Sequence, residues 1–420
     1  MVSARRMRTL AASALVLVLC GCAGGPVLPS PPPQRFEQAA VDQGASLAKL
    51  GDCQTCHTAE GGRPYAGGRP IGTPFGAVYS TNLTPDRETG IGAYSTVAFE
   101  RAMRRGLRRD GAHLYPAFPY DHFSYAADGD LDSLYAFLMT RQPVRAVTPP
   151  NRLIPPVGFR PIIAIWKALY FRPGRFTPTA GQSAAWNRGA YLVESLGHCG
   201  ACHTPHNFLG AERRNRVLDG GAAEGWYAPP LNASSPAITA WTADGLYAYL
   251  RTGIDLDHAA SAGPMSTVSH ELARAPEADV RAMSVYLASL MAAAPAAAGP
   301  PPSDKAQLAS RAHPQGALLY AGACAQCHDA GAPMMLEGRP PLQLGTPLHE
   351  DSPRDTIQII LQGLEPPVRP AGPFMPGFAD SLTDGQVAEI AGYLRSRFSD
   401  KPAWRALPAA VAKARREGAS

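Results

Sequence analysis

The sequence predicts a mainly α-helical protein made of three tandem modules joined by irregular, proline-rich connections. Three observations predict it. The pentapeptide Cys-x-x-Cys-His occurs three times, opening at Cys53, Cys199 and Cys324, with spacings of 146 and 125 residues in a chain of 420. A helix-like stretch with a shared Gly-Ala pair precedes each pentapeptide, at residues 42–48, 187–193 and 314–320. An amphipathic helix follows each one, at residues 130–138, 277–287 and 383–394, with apolar residues three to four apart and a tyrosine near the last leucine. The glycine of each leading stretch would let that helix approach a neighbour closely.

The elements follow in chain order. Arg5, Arg6 and Arg8 precede a short apolar run at residues 9–19, which ends in Leu19-Cys20-Gly21-Cys22. Such a run is too short to span a bilayer comfortably and has the layout of an export signal. It is similar to a bacterial lipoprotein signal. That resemblance implies cleavage of residues 1–21 and acylation of Cys22, with residues 22–36 as a tether. Several acyl chains on one residue hold a protein stably where a single chain does not.

The first module is expected over residues 37–148, the second over 181–293 and the third over 306–400. Residues 149–180 and 294–305 read as linkers, the second being a run of proline and alanine. Within the first linker, Ile162–Phe171 is apolar. An interdomain or partner contact is the favoured reading for it, ahead of a membrane contact. The Ala/Arg/Lys-rich tail at residues 401–420 is compatible with a short amphipathic helix or with disorder. Glycine and proline are abundant, at 41 and 42 residues, which fits compact modules with long loops. The net charge of +5 is mild and does not support a nucleic-acid partner, which would need Lys/Arg clustered on a face. The chain also lacks a dinucleotide-binding glycine loop after a strand.

Of eight cysteines, Cys20 and Cys22 belong to the export signal. The other six form three pairs: Cys53 and Cys56, Cys199 and Cys202, Cys324 and Cys327. Each pair is followed at once by a histidine: His57, His203 or His328. This is the attachment signature of c-type haem. Two thiols must reach the two vinyl groups of one porphyrin, and the next residue must turn an imidazole onto the iron. Disulfides need no histidine after each second cysteine, and zinc wants four ligands per site. The expected cofactors are therefore three haem c groups. First and last helices packed together around such a group form the frame of a class I cytochrome c fold.

A haem that only transfers electrons needs a second protein ligand, usually Met or His. In the third module Met375 lies in a Pro/Gly loop ahead of the last helix. In the second, Met265 holds the equivalent place, while Met283 and Met291 lie on the final helix and belong to its core. In the first module the corresponding loop reads Leu114-Tyr-Pro-Ala-Phe118-Pro-Tyr, and a phenylalanine cannot ligate iron. His122 is the first candidate there. His113, Met103, Met139 and an open, five-coordinate iron are the alternatives. The other histidines, His198, His206, His258, His270, His313 and His349, read as exposed or hydrogen-bonded residues.

The runs Gly51–Ala59, Tyr65-Ala-Gly-Gly, Thr73-Pro-Phe-Gly, Ser80–Asp86 and Leu114–Tyr120 resemble the first haem domain of trihaem cytochrome c subunits of membrane-bound bacterial dehydrogenases. The likeness continues through Gly197–Asn207, Trp226–Asn232 and Phe374–Asp384. It implies a catalytic subunit as partner: a molybdenum enzyme, a quinoprotein or a flavoprotein acting on alcohols, aldehydes, gluconate or related substrates. It also implies a place on the periplasmic side of the membrane, with electrons passed on to ubiquinone or a terminal oxidase. Many family members carry Met where Phe118 stands. The Ala-Phe-Pro-Tyr variant is more similar to subunits that partner molybdenum hydroxylases of aldehydes or N-heterocycles. Two other functions stay open: a peroxidase-like or thiosulfate-oxidising haem enzyme with an open first iron, and a free-standing electron carrier.

Overall fold

The computed structural model describes residues 26–292, 301–332, 339–365 and 374–418. Cys22 and the signal segment lie outside them. The chain is mainly helical, and its contacts separate two compact units. Unit 1 comprises residues 26–178 with 194–198 and 208–211, and unit 2 holds the remainder. Two of the three expected modules thus fall in one unit. No helix among the described residues is long and apolar enough to cross a membrane.

In unit 1, α1 (Gln38–Leu50) leads into a single helical turn, α2 (Cys53–Cys56). Next come strands β1 (Pro70–Thr73) and β2 (Gly76–Tyr79), which pair antiparallel with Ile71 opposite Val78; β3 (Arg152–Leu153) adds to β2. The helices α3 (Thr96–Arg105), α4 (Tyr120–Phe123), α5 (Asp128–Met139) and α6 (Ile162–Tyr170) complete the unit. Ser95 caps α3 by accepting from the Ala98 amide, and Gly106 ends it in a left-handed conformation. Leu47, Leu50, Leu131, Leu134 and Tyr135 are buried where α1 meets α5, and the Phe36 and Phe99 rings pack on Tyr135.

In unit 2, α7 (Ala184–Glu194) precedes the turn α8 (Gly200–His203), the pair β4 (Gly221–Ala223) and β5 (Trp226–Ala228), and α9 (Ala243–Thr252). The short pair β6 (Ile254–Asp255) and β7 (Ala259–Ala260) is followed by α10 (Pro264–Leu272) and α11 (Glu277–Met291). The chain continues through α12 (Ala306–Ala312), α13 (Pro314–Ala323), the turn α14 (Ala325–His328), α15 (Arg354–Gln362) and α16 (Asp384–Phe398). The tail left open by the sequence is a helix, α17 (Leu407–Gly418). It buries Val411 and Ala414 in the same core as Ile357, Val387 and Ile390, and Arg415 binds Asp384 at 2.7 Å.

One packing device occurs three times. Gly44 of α1 lies against the Ser133 carbonyl of α5, Gly189 of α7 against the Ala282 carbonyl of α11, and Gly316 of α13 against the Glu389 carbonyl of α16. In each case a β-carbon would enter the van der Waals shell of that oxygen. The residue four further along the partner helix, Phe137, Tyr286 or Tyr393, completes the contact. The Gly-Ala pair of the sequence is thus the point where a leading helix crosses a closing helix, backbone against backbone. At the second crossing, Arg188 pairs with Asp279 at 2.8 Å and Trp186 stands edge-on to Tyr286 at 4.9 Å.

Candidate functional site

Each Cys-x-x-Cys-His pentapeptide is one helical turn closed by the same hydrogen bond. The amide of the histidine donates to the carbonyl of the first cysteine, at 3.1 Å for His57 to Cys53, 2.9 Å for His203 to Cys199 and 3.0 Å for His328 to Cys324. The turn brings two thiols and an imidazole together within five residues. All six cysteines are half-buried. Burial, and then the neighbouring cysteine, pushes the Cys199 thiol up to about 12 and Cys324 up to about 11. These groups are held as thiols.

Two of the imidazoles are oriented from behind. His57 directs Nδ1 to the Thr81 carbonyl at 2.6 Å, and His203 directs Nδ1 to the Pro229 carbonyl at 2.7 Å. A carbonyl only accepts, so Nδ1 carries the proton and Nε2 keeps its lone pair. Burial holds both rings below their ordinary pKa against the opposing effect of the backbone bond. Burial, and then Arg339, lowers His328 to about 4. All three are neutral imidazoles at neutral pH, the form that binds a metal.

The first two sites share their surroundings bond for bond. Gly67 donates to the His57 carbonyl at 2.8 Å and Gly220 to the His203 carbonyl at 2.9 Å. The hydroxyl after each histidine accepts an amide: Thr58 from Tyr65 at 3.1 Å, Thr204 from Leu218 at 3.0 Å. Leu83 and Leu231 then donate to the Tyr65 and Leu218 carbonyls, each at 2.8 Å. The third site differs. Asp329 replaces the threonine and accepts from the Tyr320 hydroxyl at 2.8 Å.

The same register places the second-ligand candidates. Gly106 and Gly253 end α3 and α9 in left-handed conformations, with φ of 54° and 79°. Leu114 donates to the Gly106 carbonyl at 2.8 Å and Ser261 to the Gly253 carbonyl at 2.7 Å. Four residues beyond these donors stand Phe118 in unit 1 and Met265 in unit 2. Phe118 therefore occupies the Met265 position, and its ring packs on Phe123 at 5.2 Å. Met265 lies in the first turn of α10, behind Gly263, which sits against the Trp226 indole. In the third site, Gly363 ends α15, and the adjacent Leu364 exchanges backbone hydrogen bonds with Met375 at 2.9 and 3.2 Å.

At the first site, the candidate His122 lies on α4 with Nδ1 2.9 Å from the Glu194 carbonyl. His113 has Nδ1 beside Lys167 at 3.4 Å and a buried Nε2 without a hydrogen-bond partner. Met103 is buried on α3 as core, and Met139 ends α5. Other histidines are structural. His258 binds Asp255 and the Thr239 carbonyl beneath the Trp241 ring, and His349 binds the Gln343 carbonyl and Ser399. The donor set at each pentapeptide fits one haem c: two thiols and one neutral imidazole.

Sequence reasoning found the thiols and imidazoles but missed the carbonyls of Thr81 and Pro229 that aim two of them. Backbone acceptors have no residue signature. The matching leucines two residues later, Leu83 and Leu231, were the available signal.

Comparison with known proteins gives a concordant result. Residues 311–394 match the family described as cytochrome C oxidase, cbb3-type, subunit III. A nicotinate dehydrogenase subunit of Pseudomonas putida is 45% identical over 392 residues, covering 90% of this chain and 32% of that protein. This chain thus spans about a third of the length of that relative. The fructose dehydrogenase cytochrome subunit of Gluconobacter japonicus is 37% identical over 430 residues, covering 95% of this chain and 88% of its own. The gluconate 2-dehydrogenase cytochrome c subunit of Pantoea cypripedii is 35% identical over 385 residues, covering 86% of each chain.

Proposed function

Because the chain belongs to the family of cytochrome c subunits of dehydrogenases, we propose that it is a three-haem electron relay serving a catalytic dehydrogenase subunit. Its electrons pass to ubiquinone or a terminal oxidase. A lipid on Cys22 holds it at the periplasmic face of the cytoplasmic membrane. The observation that supports this reading is the threefold recurrence of one turn, with the same closing hydrogen bond and a neutral imidazole at its end.

When bound, each haem supplies a one-electron couple. Cys53 and Cys56, Cys199 and Cys202, and Cys324 and Cys327 hold the three groups. The thiols would tether these groups by thioether bonds. His57, His203 and His328 would ligate the irons. Met265 and Met375 supply the second ligand in unit 2, and a thioether there raises the potential. His122 is the second ligand of the first iron. His113 is the second reading, favoured by its unpartnered buried Nε2.

Similarity to the nicotinate dehydrogenase relative, with the Ala117-Phe-Pro-Tyr120 run, supports a molybdenum hydroxylase of N-heterocycles as the catalytic partner. Production in a haem-ligating host tests the reading. The mass should carry three haems beyond polypeptide plus lipid, and the alkaline pyridine spectrum should count the same number. A colourless product would sink it. Tight peroxide binding and turnover at the first iron would favour a haem enzyme, because the Phe118 position leaves that iron without its usual thioether.

A further inference from the structure

Unit 1 carries an apolar strip that its own fold leaves uncovered. α6 buries Ile163, yet Ile165 and Leu169, one turn apart, are 46% and 56% exposed, and Phe159 just ahead of the helix is 69% exposed. The roll of the helix is fixed. The Trp166 indole donates to the Leu209 carbonyl at 2.9 Å, and Lys167 turns inward to the Arg105 carbonyl. Ile165 and Leu169 are held outward by this anchoring.

The strip is set in positive charge. Residues 152–175 contain Arg152, Arg160, Lys167, Arg172 and Arg175 and no acidic residue. Arg105 and Arg108 are exposed on the neighbouring segment; the acidic groups beside these cations are Asp110, which pairs with Arg108 at 3.1 Å, and Asp128, which pairs with Arg175 at 2.7 Å. An apolar helical face flanked by exposed arginines such as Arg105 and Arg172 matches a bilayer interface with anionic headgroups.

The start of the described chain lies against the same segment. Arg101 donates to the Pro26 carbonyl at 2.7 Å and to the Arg108 carbonyl at 2.7 Å. Leu28 donates to the Arg109 carbonyl at 3.0 Å, and Arg109 donates back to the Leu28 carbonyl at 3.0 Å. Lys167 and Arg160 fasten α6 to Arg105 and His113 of that stretch, the latter at 2.7 Å. Cys22 stands four residue steps ahead of Pro26, a reach of about 14 Å when fully extended. A lipid on Cys22 therefore keeps the surface around residues 101–113 within roughly one helix diameter of the headgroups.

We infer that α6 and Phe159 form a second, non-covalent membrane contact that lays this face of unit 1 on anionic phospholipid. Its position rests on the proposed acylation of Cys22. Its chemistry is independent of that acylation and is tested without it. The full haem-loaded chain with Cys22→Ala, exported behind an ordinarily cleaved signal, is floated with phosphatidylglycerol-containing vesicles and with phosphatidylcholine vesicles. Binding to the anionic vesicles should be at least about tenfold stronger and should weaken with salt. Ile165→Asp with Leu169→Asp should lower it at least about tenfold, with an unchanged haem spectrum reporting the fold. Arg172→Glu with Arg105→Glu, both at exposed positions, should lower it without touching the core. No flotation of the parent chain, or equal flotation of these variants, overturns the inference. So does unchanged flotation with loss of a co-purifying catalytic subunit, which would assign the strip to a protein partner. The mass of the wild-type chain reads acylation separately, so a missing lipid with retained flotation removes the tether and leaves α6 as the contact.

Discussion

His203 donates through Nδ1 to the carbonyl of Pro229 at 2.7 Å, so the nitrogen turned the other way is the one with a lone pair. Replacing His203 removes that lone pair but not the thiols of Cys199 and Cys202. His203→Ala should keep its haem by thioether bonds while one iron in three loses its low-spin signature. Electron paramagnetic resonance beside a pyridine haem count checks both halves of this outcome.

Phe118 and Met265 stand four residues past equivalent hydrogen bonds to capping glycines. Phe118→Met should therefore supply the first iron with a thioether and raise its potential. Met265→His should lower the potential of the second iron, because a second imidazole replaces the thioether. Spectroelectrochemical titration of the whole protein resolves the two shifts. An unchanged set of potentials in Met265→His would remove Met265 from the ligand set.

His122→Ala should convert the first haem to a form that binds carbon monoxide. If His113→Ala does so instead, the second ligand is His113. A parent protein that already binds carbon monoxide would show the first iron to be open.

Gly189→Val places a branched side chain against the Ala282 carbonyl and the Tyr286 stem. The backbones of α7 and α11 must part to admit it. We expect a loss of at least about 2 kcal/mol, seen as a lower thermal midpoint. Gly129, where a β-carbon meets open space, is the control, and Gly129→Ala should leave the midpoint nearly unchanged.

Glu350 and Asp355 are buried together in unit 2. Burial raises both carboxyls, Asp355 to about 6 and Glu350 well above its usual range, with Asp355 adding to the rise at Glu350. The Glu350 carbonyl accepts from Arg395 at 2.9 Å and from Trp404 at 3.0 Å, while its buried Oε2 has no hydrogen-bond partner. A raised pKa means that the folded state keeps a proton the unfolded chain has released. Stability should therefore fall as pH rises from about 4 to about 6. Glu350→Gln should raise the thermal midpoint at pH 7, by about 1–3 kcal/mol in stability, and change little at pH 4. An equal effect at both pH values would mean that charge burial is not the cause.

The three Cys-x-x-Cys-His turns were legible in the sequence, because the motif fixes residue types at fixed spacing. The helix crossings were legible through Gly44, Gly189 and Gly316, since only glycine lets two helix backbones touch. Other features were not. The carbonyls that aim His57 and His203 belong to backbone, which any residue supplies. The burial of Val411 and Ala414 on α17 depends on a groove built by α15 and α16, which a weakly patterned Ala-rich tail does not announce. The outward face of Ile165 and Leu169 was hidden because an apolar run looks the same whether it is buried or left bare. The Trp166 and Lys167 contacts decide that question.

The glycine crossings bear on the order in which the protein matures. A chain made from its N-terminus presents Cys53 and Cys56 well before Asp128–Met139 exists to lock onto Gly44. The same holds for Cys199 ahead of Glu277–Met291 and Cys324 ahead of Asp384–Phe398. In the order of synthesis each pair of thiols thus precedes the helix that closes over its glycine, and the late helix is the latch.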